Sequence, residues 1–476
     1  MNAVATRRWK YLSVFAAGTV ALATLALIFA PSAQAAPGDL DPAFSQDGIV
    51  KGPMLVGRGT PQETGMYQAS AVAIQPDRRI VIAGHANTDP SRSAAGLPNG
   101  GFALARYQPN GALDQSFGSG GYQTIEFPPM DLGGGTVVPR VGHVSDVAIL
   151  PDGKILVGGT TGSNDYETVF DMTVARLDAN GQLDPTFGDG GIKIVKAFSG
   201  YGASAEAMAI ANHGSIFLGG YAADPTGRRG DFGFVKLTPT GQLDRSFSGD
   251  GKMRIDFHNQ DDLLLDLVID GRGRAIACGR AGITNRRSRA GIVRLTSSGK
   301  LDHSFSADGK KTISPMLAAD AIAVRPHGQL LVSGGNFDSD QAVLAQLKPN
   351  GSLDRSFGRR GVTRTGVRDT VYLSRLALEG HGKAVLLGDA TKKNGGWDLV
   401  LLRYTRQGKL DRSFSQNGKT FTDFGGDDYA DLAPPGGLAL QADGRIVVTG
   451  STVKKRPATP PSSRFAFYYD LARYKG

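Results

Sequence analysis

Among 476 residues there is one cysteine, Cys278, set inside an apolar strand pattern. A disulfide framework is therefore excluded, and a buried, unreactive thiol is expected. Tryptophan is almost as scarce: beyond Trp9, near the N-terminus, only Trp397 occurs. The paired His or Cys spacing of a zinc site is missing, and so are the Gly-x-Ser-x-Gly elbow and the phosphate loop. Asp261-Asp262 and Asp427-Asp428 are acidic, but neither follows the alternating oxygen pattern of a calcium loop. No metal or cofactor is expected, and the chain leans away from enzymes with a linear signature.

Long apolar runs are confined to the start. Arg7, Arg8 and Lys10 precede the stretch from Tyr11 to Ala30, and Ala33-Gln34-Ala35 has the small-x-small form of a cleavage site. Residues 1–36 read as a secretory signal peptide cleaved near Ala35 or Ala36, with an uncleaved anchor as the alternative. Lys10 stands where twin-arginine export expects an apolar residue. No cysteine follows the run, so lipid modification is not supported. The expected location is extracytoplasmic, periplasmic or secreted, with no membrane span left after cleavage. Removing the three leader cations lowers the formal charge from +9 to +6, too dispersed to imply nucleic-acid binding.

What the chain does have is glycine, 66 of them, and a repeat. A Leu-Asp pair recurs with its aspartate at Asp41, Asp114, Asp184, Asp244, Asp302, Asp354 and Asp411. Three residues later stand Phe44, Phe117, Phe187, Phe247, Phe305, Phe357 and Phe414, and a glycine follows each aspartate by seven residues. The aspartates are 73, 70, 60, 58, 52 and 57 residues apart, the period of a repeat architecture. The chemistry is that of a turn: the aspartate accepts backbone N–H bonds, the glycine allows positive φ, and the phenylalanine enters a core. A residue needed once per unit is read as structural rather than catalytic.

Two further signals recur in phase. The first is a strand, tight turn and strand, as in Val147 to Gly159, with turn positions Asp77, Asp152, His213, Arg272, His327, His381 and Asp443. A glycine lies seven residues after each: Gly84, Gly159, Gly220, Gly279, Gly334, Gly388 and Gly450. The second is a strand of alternating character, as in Met172 to Leu177, whose polar position is Arg106, Arg176, Lys236, Arg294, Gln346, Arg403 or Arg473. A bridge toward a neighbouring turn is the expected role of these residues.

Four short strands per unit, seven times over, predict an all-β, seven-bladed β-propeller of four-stranded antiparallel blades in one domain, residues 37–476. Pro151-Asp152-Gly153, Leu156-Val157-Gly158-Gly159, Ala175-Arg176-Leu177 and the run Gly181 to Gly188 resemble the delta-60 repeat family of bacterial exported proteins. That family is similar to NHL-type propellers in strand order, and the resemblance spans residues 38–476. It implies fold and export, and brings no activity with it. The Trp-bearing repeats of quinoprotein propellers and the Asp boxes of sialidases are absent. The N-terminus offers a Leu-Asp turn and strand lacking a preceding basic strand, and the C-terminus ends on one, so the N-terminal strand should be the outer strand of a blade completed by residues of about 433–476.

In such blades the two fixed-length turns share one face. From the Leu-Asp glycine to the next turn position the separations are 29, 31, 22, 21, 18, 20 and 25 residues, so length variation gathers on the opposite face. Variable loops on a rigid scaffold are where binding sits. The longest belong to blades 7, 1 and 2, giving as candidate ligand-binding residues His85, Asp89, Arg92, His143, Lys454, Lys455, Arg456 and Arg464. Arg228, Arg229, Arg280, Arg286, Arg287, Arg289, Lys392 and Lys393 give the same face a positive bias, relieved by Asp165, Glu167, Asp224, Asp338 and Asp389. The expected function is a monomeric exported binding or interaction module for a protein or an anionic envelope polymer such as a polysaccharide. The alternative is a hydrolase or lyase acting on an extracellular polymer with its site at the channel mouth, which requires a tight polar cluster of shifted pKa there.

Overall fold

A computed structural model describes residues 35–52, 65–87, 100–131, 134–163, 170–196, 198, 202–284, 287–314, 316–335, 340–368, 370–392, 396–415, 417–425, 436–455 and 465–476. The proposed leader falls outside them.

Seven four-stranded antiparallel sheets follow one another along the chain. Blade 1 is built from Gly65–Ile74, Ile80–Asn87, Phe102–Tyr107 and Tyr122–Ile125. Blade 2 is Arg140–Ile149, Ile155–Ser163, Phe170–Leu177 and Ile192–Val195. Blade 3 is Ala203–Ile210, Ile216–Ala223, Gly230–Leu237 and Lys252–Ile255. Blade 4 is Asp261–Ile269, Ala275–Thr284, Arg287–Leu295 and Lys310–Ile313. Blade 5 is Ala318–Val324, Leu330–Gly335, Gln341–Leu347 and Val362–Gly366. Blade 6 is Val371–Leu378, Ala384–Thr391, Trp397–Tyr404 and Lys419–Thr422.

Blade 7 closes the ring. Leu438–Leu440, Ile446–Lys455 and Phe465–Tyr474 take Ile49–Lys51 as their outer strand, with Ile49 opposite Ala472, Val50 opposite Leu471 and Lys51 opposite Asp470. The closure expected from the two chain ends is therefore the one observed. It removes the open sheet edge that an unclosed ring would expose.

The first strand of every blade is innermost and touches the first strand of each neighbour around the ring. Seven apolar clusters fill the spaces between adjacent blades. Each blade is thus covered on both faces, and this changes the meaning of the third-strand pattern. In blade 2 every residue from Asp171 to Leu177 is buried, polar ones included. Thr173 is satisfied by the Thr161 hydroxyl at 2.8 Å, so the alternation is one of partners and not of exposure.

The strand-end glycines have a steric cause. At Gly84, Gly159, Gly220, Gly279, Gly334 and Gly388 a Cβ would fall well inside contact distance of the carbonyl oxygen of Gln68, His143, Ser204, Leu263, Ala318 and Tyr372 respectively. In all six blades the inner strand shifts register beside this crossing, a β-bulge that brings the two backbones together. At Gly450 of blade 7 a Cβ would meet, among the described residues, the Phe424 ring at 3.1 Å and Leu399 Cδ1 at 3.9 Å.

Candidate binding face and channel mouth

The face that carries the fixed turns is latched blade to blade. In blade 2, Asp184 Oδ1 accepts from the Thr186 amide at 3.0 Å and the Thr186 hydroxyl at 2.6 Å. Its Oδ2 accepts from Arg176 Nε at 2.9 Å. Arg176 Nη1 then reaches blade 3 and donates to Pro239 O at 2.6 Å, while the guanidinium lies 4.8 Å over the Phe187 ring. Phe187 is buried under Gly241 of blade 3, and the Gly188 amide donates to Thr240 O at 2.9 Å. Hydrogen bonds from Thr186 and Lys154 hold the Asp184 carboxyl well below the usual carboxylate range.

The same pairing joins Arg106 to Asp114 at 2.7 Å, Lys236 to Asp244 at 2.9 Å, Arg294 to Asp302 at 2.8 Å and Arg403 to Asp411 at 2.9 Å. Across the chain ends, Arg473 pairs with the fully buried Asp41 at 2.9 Å. Blade 5 solves the problem differently. Gln346 donates to Asp354 at 2.9 Å, and the cation comes from Arg325, which bonds Gln346 Oε1 at 2.8 Å and Arg406 O of blade 6 at 2.7 Å. A cleft of about 240 Å³ on this face lies at the seam, lined by Arg78, Pro109, Asp443, Arg445 and Arg473. Arg445 and Arg473 there are already committed to Asp41.

On the variable face the structure brings together two of the sequence candidates. His85, ending the second strand of blade 1, meets His143 of the inner strand of blade 2 edge-on, with ring centroids 4.2 Å apart. His85 is buried, and burial with the neighbouring imidazole lowers its pKa to about 3. Burial lowers His143 as well. At neutral pH the pair is uncharged. Asp89, Arg92, Arg456 and Arg464 lie outside the described residues. Lys454 and Lys455 pair through their backbones with Ala466 and Phe465, and their side chains also lie outside the description.

Several cations on this face are matched by aspartates. Arg140 pairs with Asp171 at 2.7 Å, Arg254 with Asp231 at 3.0 Å, Arg229 with Asp224 at 3.4 Å, and Lys392 with Asp423 at 2.9 Å. Asp231, Asp256 and Asp262 bring carboxylate oxygens within 4.8 Å of one another. Asp262 accepts from the Phe257 amide at 2.6 Å and the Gly282 amide at 2.8 Å, yet burial and its two acidic neighbours push its pKa up to about 7. This trio is held by backbone donors to Asp262 and by Arg254 on Asp231.

The channel holds a cluster that no linear motif announces. Asp146, Glu206 and Asp266, from the inner strands of blades 2, 3 and 4, all feel the charge of Arg375 from blade 6. Arg375 donates to Ser145 O of blade 2 at 3.2 Å and Ser70 O of blade 1 at 3.4 Å, neither of them adjacent to its own blade. Asp266 ties blade 4 to blade 5 by accepting from the Ile322 amide at 2.8 Å, and burial raises its pKa to about 6. The available signal was charge inside otherwise apolar inner strands, six or seven residues before each turn position.

Nearer the variable face, register sets a ring of facing pairs: Gln68 with His85, His143 with Thr160, Ser204 with Tyr221, Leu263 with Arg280, Ala318 with Gly335, and Tyr372 with Asp389. Blade 5 contributes the two smallest residues, which among the described residues leaves a notch between Arg280 and Tyr372. Asp320 stands below that notch on the inner strand of blade 5, and Arg280 lies within electrostatic reach of both Asp320 and Tyr372. Burial raises Asp320 and Asp389 to about 7 each. Raised pKa values of the kind an enzyme would use are thus present at the mouth, although Asp320 is coupled to Arg280 and Asp389 owes its shift to burial alone.

The fold and its repeated latch define a β-propeller repeat protein. A family model described as "Domain of unknown function (DUF5122) beta-propeller" matches residues 75–117, 150–187, 328–357 and 382–414, and supports a β-propeller repeat family. No curated protein matches the chain. Among solved structures, a Dyadobacter fermentans DSM 18053 protein of unknown function is similar at 10% identity and a TM-score of 0.39, over 90% of this chain and 100% of that one. A PL25 ulvan lyase bound to -[GlcA(1-4)Rha3S]- is similar at 11% identity and a TM-score of 0.44, over 84% of this chain and 93% of the lyase. A glucose dehydrogenase is similar at 12% identity and a TM-score of 0.37, over 72% of this chain and 96% of the enzyme. At these values the likenesses carry no argument about what this chain binds.

Proposed function

We propose that the chain is an exported propeller of delta-60 type that acts as a binding or interaction module, a monomer in the periplasm or outside the cell. Its variable-loop face would engage a protein or an envelope polymer. The carrying observation is the asymmetry of the two faces. One is locked by seven Asp-centred turns, each bonded to the next blade, and the other holds all the length variation together with the channel mouth. Because many described cations of the variable face are already paired, recognition through rings and hydroxyl contacts is favoured over attraction by charge alone.

Thermal unfolding against a panel of proteins from the cell envelope, anionic and neutral glycans, divalent metals and lipid vesicles tests this reading. A ligand of the native state raises the midpoint, by about 2.7 kcal/mol of stabilisation at a hundredfold excess over its Kd. Loss of the shift at high salt would identify a polyanion. No shift with any partner, and no crosslinked partner in the envelope, would sink the proposal.

A second reading, a polymer-acting hydrolase or lyase, is favoured by one observation. Asp320 and Asp389 sit at the mouth with pKa values of about 7, the range suited to a general acid or base. Release of reducing ends or of unsaturated products from a polysaccharide, abolished in Asp320→Asn or Asp389→Asn, would favour it over pure binding.

A further inference from the structure

Most tyrosines placed in the blades are anchored by their hydroxyls. Tyr107 bonds Tyr469 at 2.6 Å, Tyr404 bonds Thr365 at 2.8 Å, and Tyr474 bonds Thr422 at 2.7 Å, all buried. Tyr372 breaks the pattern. It is 41% exposed at the channel mouth, one of two large hydrophobic residues so exposed among those described. An exposed aromatic ring on a rigid strand end is a feature that folding does not require.

The ring is not isolated. Trp397 starts the third strand of the same blade on the same sheet face, its centroid 5.4 Å from that of Tyr372 and its plane tilted by 38°. Asp389 stands opposite Tyr372 in register, half-buried, and its carboxyl makes no hydrogen bond or ion pair with any described residue. The carboxylates of Asp184 and Asp262, by contrast, accept hydrogen bonds. At the notch of blade 5 a Cβ at Gly335 would meet, among the described residues, Gln341 O at 3.6 Å, with Asp320 on the inner strand below and Arg280 on the neighbouring blade 4.

We propose that Tyr372, Trp397 and Asp389, faced by Arg280 and Asp320 across the blade 5 notch, form a subsite for a pyranose ring of a neutral saccharide. The inference rests on the binding-module reading and gives it a ligand class. A pyranose presents an apolar C–H face of the area of an aromatic ring and an equatorial rim of hydroxyls. Two adjoining rings on one wall match the first, and a carboxyl that can either donate or accept matches the second. A cationic ligand would also suit aromatic rings. Here, however, Arg280 supplies a positive charge within reach, and Asp389 is shifted toward its neutral form, so the notch offers a cation little attraction.

The test uses the scarcity of tryptophan. In the full chain carrying Trp9→Phe, Trp397 is the sole tryptophan, and its emission reports this subsite directly. Cellohexaose, xylohexaose, mannohexaose and chitohexaose are titrated at millimolar concentration, with choline as the cationic control and isothermal calorimetry in parallel. The expected result is a saturable change in Trp397 emission with at least one saccharide. Tyr372→Ala should weaken that binding by about tenfold or more, while Tyr372→Phe, which keeps the ring, restores it. Calorimetric binding that leaves Trp397 emission unchanged and tolerates Tyr372→Ala would overturn the subsite and leave the binding-face reading intact. A response to choline and to none of the saccharides would overturn it too. So would silence from all four saccharides in both measurements, in which case the binding-face reading is judged separately by envelope crosslinking.

Discussion

Arg375 Nη2, on the inner strand of blade 6, donates to Ser145 O on the inner strand of blade 2 at 3.2 Å. The bond crosses the channel, and the guanidinium that makes it is the cation felt by Asp146, Glu206 and Asp266. Three carboxylates from three blades share one positive charge, so the hub is balanced only if part of the carboxylate set stays protonated.

Replacing Arg375 with methionine leaves those carboxylates without their cation. Loss of one partner from a buried ionic cluster costs about 3–5 kcal/mol. Urea unfolding should show a loss of that order at pH 8 for Arg375→Met. At pH 5 the loss should fall to about half, because Asp266, already raised to about 6, can neutralise itself by taking a proton. A cost independent of pH would mean that Arg375 serves as packing and not as counter-charge.

The strand-end glycines give a sharper contrast. Gly220→Ala would drive a Cβ into Ser204 O, where the bulged inner strand has no room to retreat, and should cost about 3 kcal/mol. Gly450→Ala, at the equivalent place in blade 7, meets among the described residues only the side chains of Phe424 and Leu399, no backbone, and should cost under about 1 kcal/mol. Equal costs in denaturant unfolding would show that backbone freedom, not the crossing, explains the glycine.

Those glycines were legible in the sequence as an invariant spacing. So were the Leu-Asp turns, the seven-bladed ring and its closure between Ile49–Lys51 and the C-terminal strand, because each recurs once per unit or follows from counting units. The channel hub was not. Arg375 and Ser145 are 230 residues apart and come together only when the ring closes. The charged positions also change from blade to blade, Ser, Glu, Asp or Arg at matching places, so no repeat announces them. Loop length pointed to blades 7, 1 and 2, whereas the exposed Tyr372 and the adjoining, half-buried Trp397 lie on blade 6, between short loops. His85 and His143 were singled out as chain residues of the right chemistry and do meet, yet burial leaves the pair uncharged.

Asp389 makes a prediction about pH. Burial raises its folded-state pKa to about 7, whereas an unfolded aspartate titrates near 3.9. The folded state therefore keeps a proton that the unfolded state releases, and the stabilisation is fully present below about pH 4 and lost as pH rises through about 7. Asn at this position has no proton to lose. Asp389→Asn should gain on the order of 2 kcal/mol relative to the parent between pH 5 and pH 8. Parallel stability profiles for the two proteins would remove the raised pKa.

The ring closes without a covalent link, and the seam concentrates its hold on one carboxylate. Asp41 pairs with Arg473 at 2.9 Å and Arg445 at 2.8 Å, and Lys475 lies 3.6 Å away. Around it the Asp41 amide donates to Arg473 O at 2.8 Å, and Phe44 lies under the Arg473 guanidinium at 4.7 Å. Asp41→Ala and Asp184→Ala each strip a buried latch and should each cost about 3–5 kcal/mol. Their kinetics should differ, because blade 2 remains tied by chain on both sides whereas blade 7 can release its outer strand. Hydrogen exchange of the Arg473 amide, which donates to Gly48 O, and of the Leu471 amide, opposite Val50, should accelerate strongly in Asp41→Ala and stay near the parent rate in Asp184→Ala. Equal acceleration in both variants would show that the seam opens only when the whole propeller unfolds.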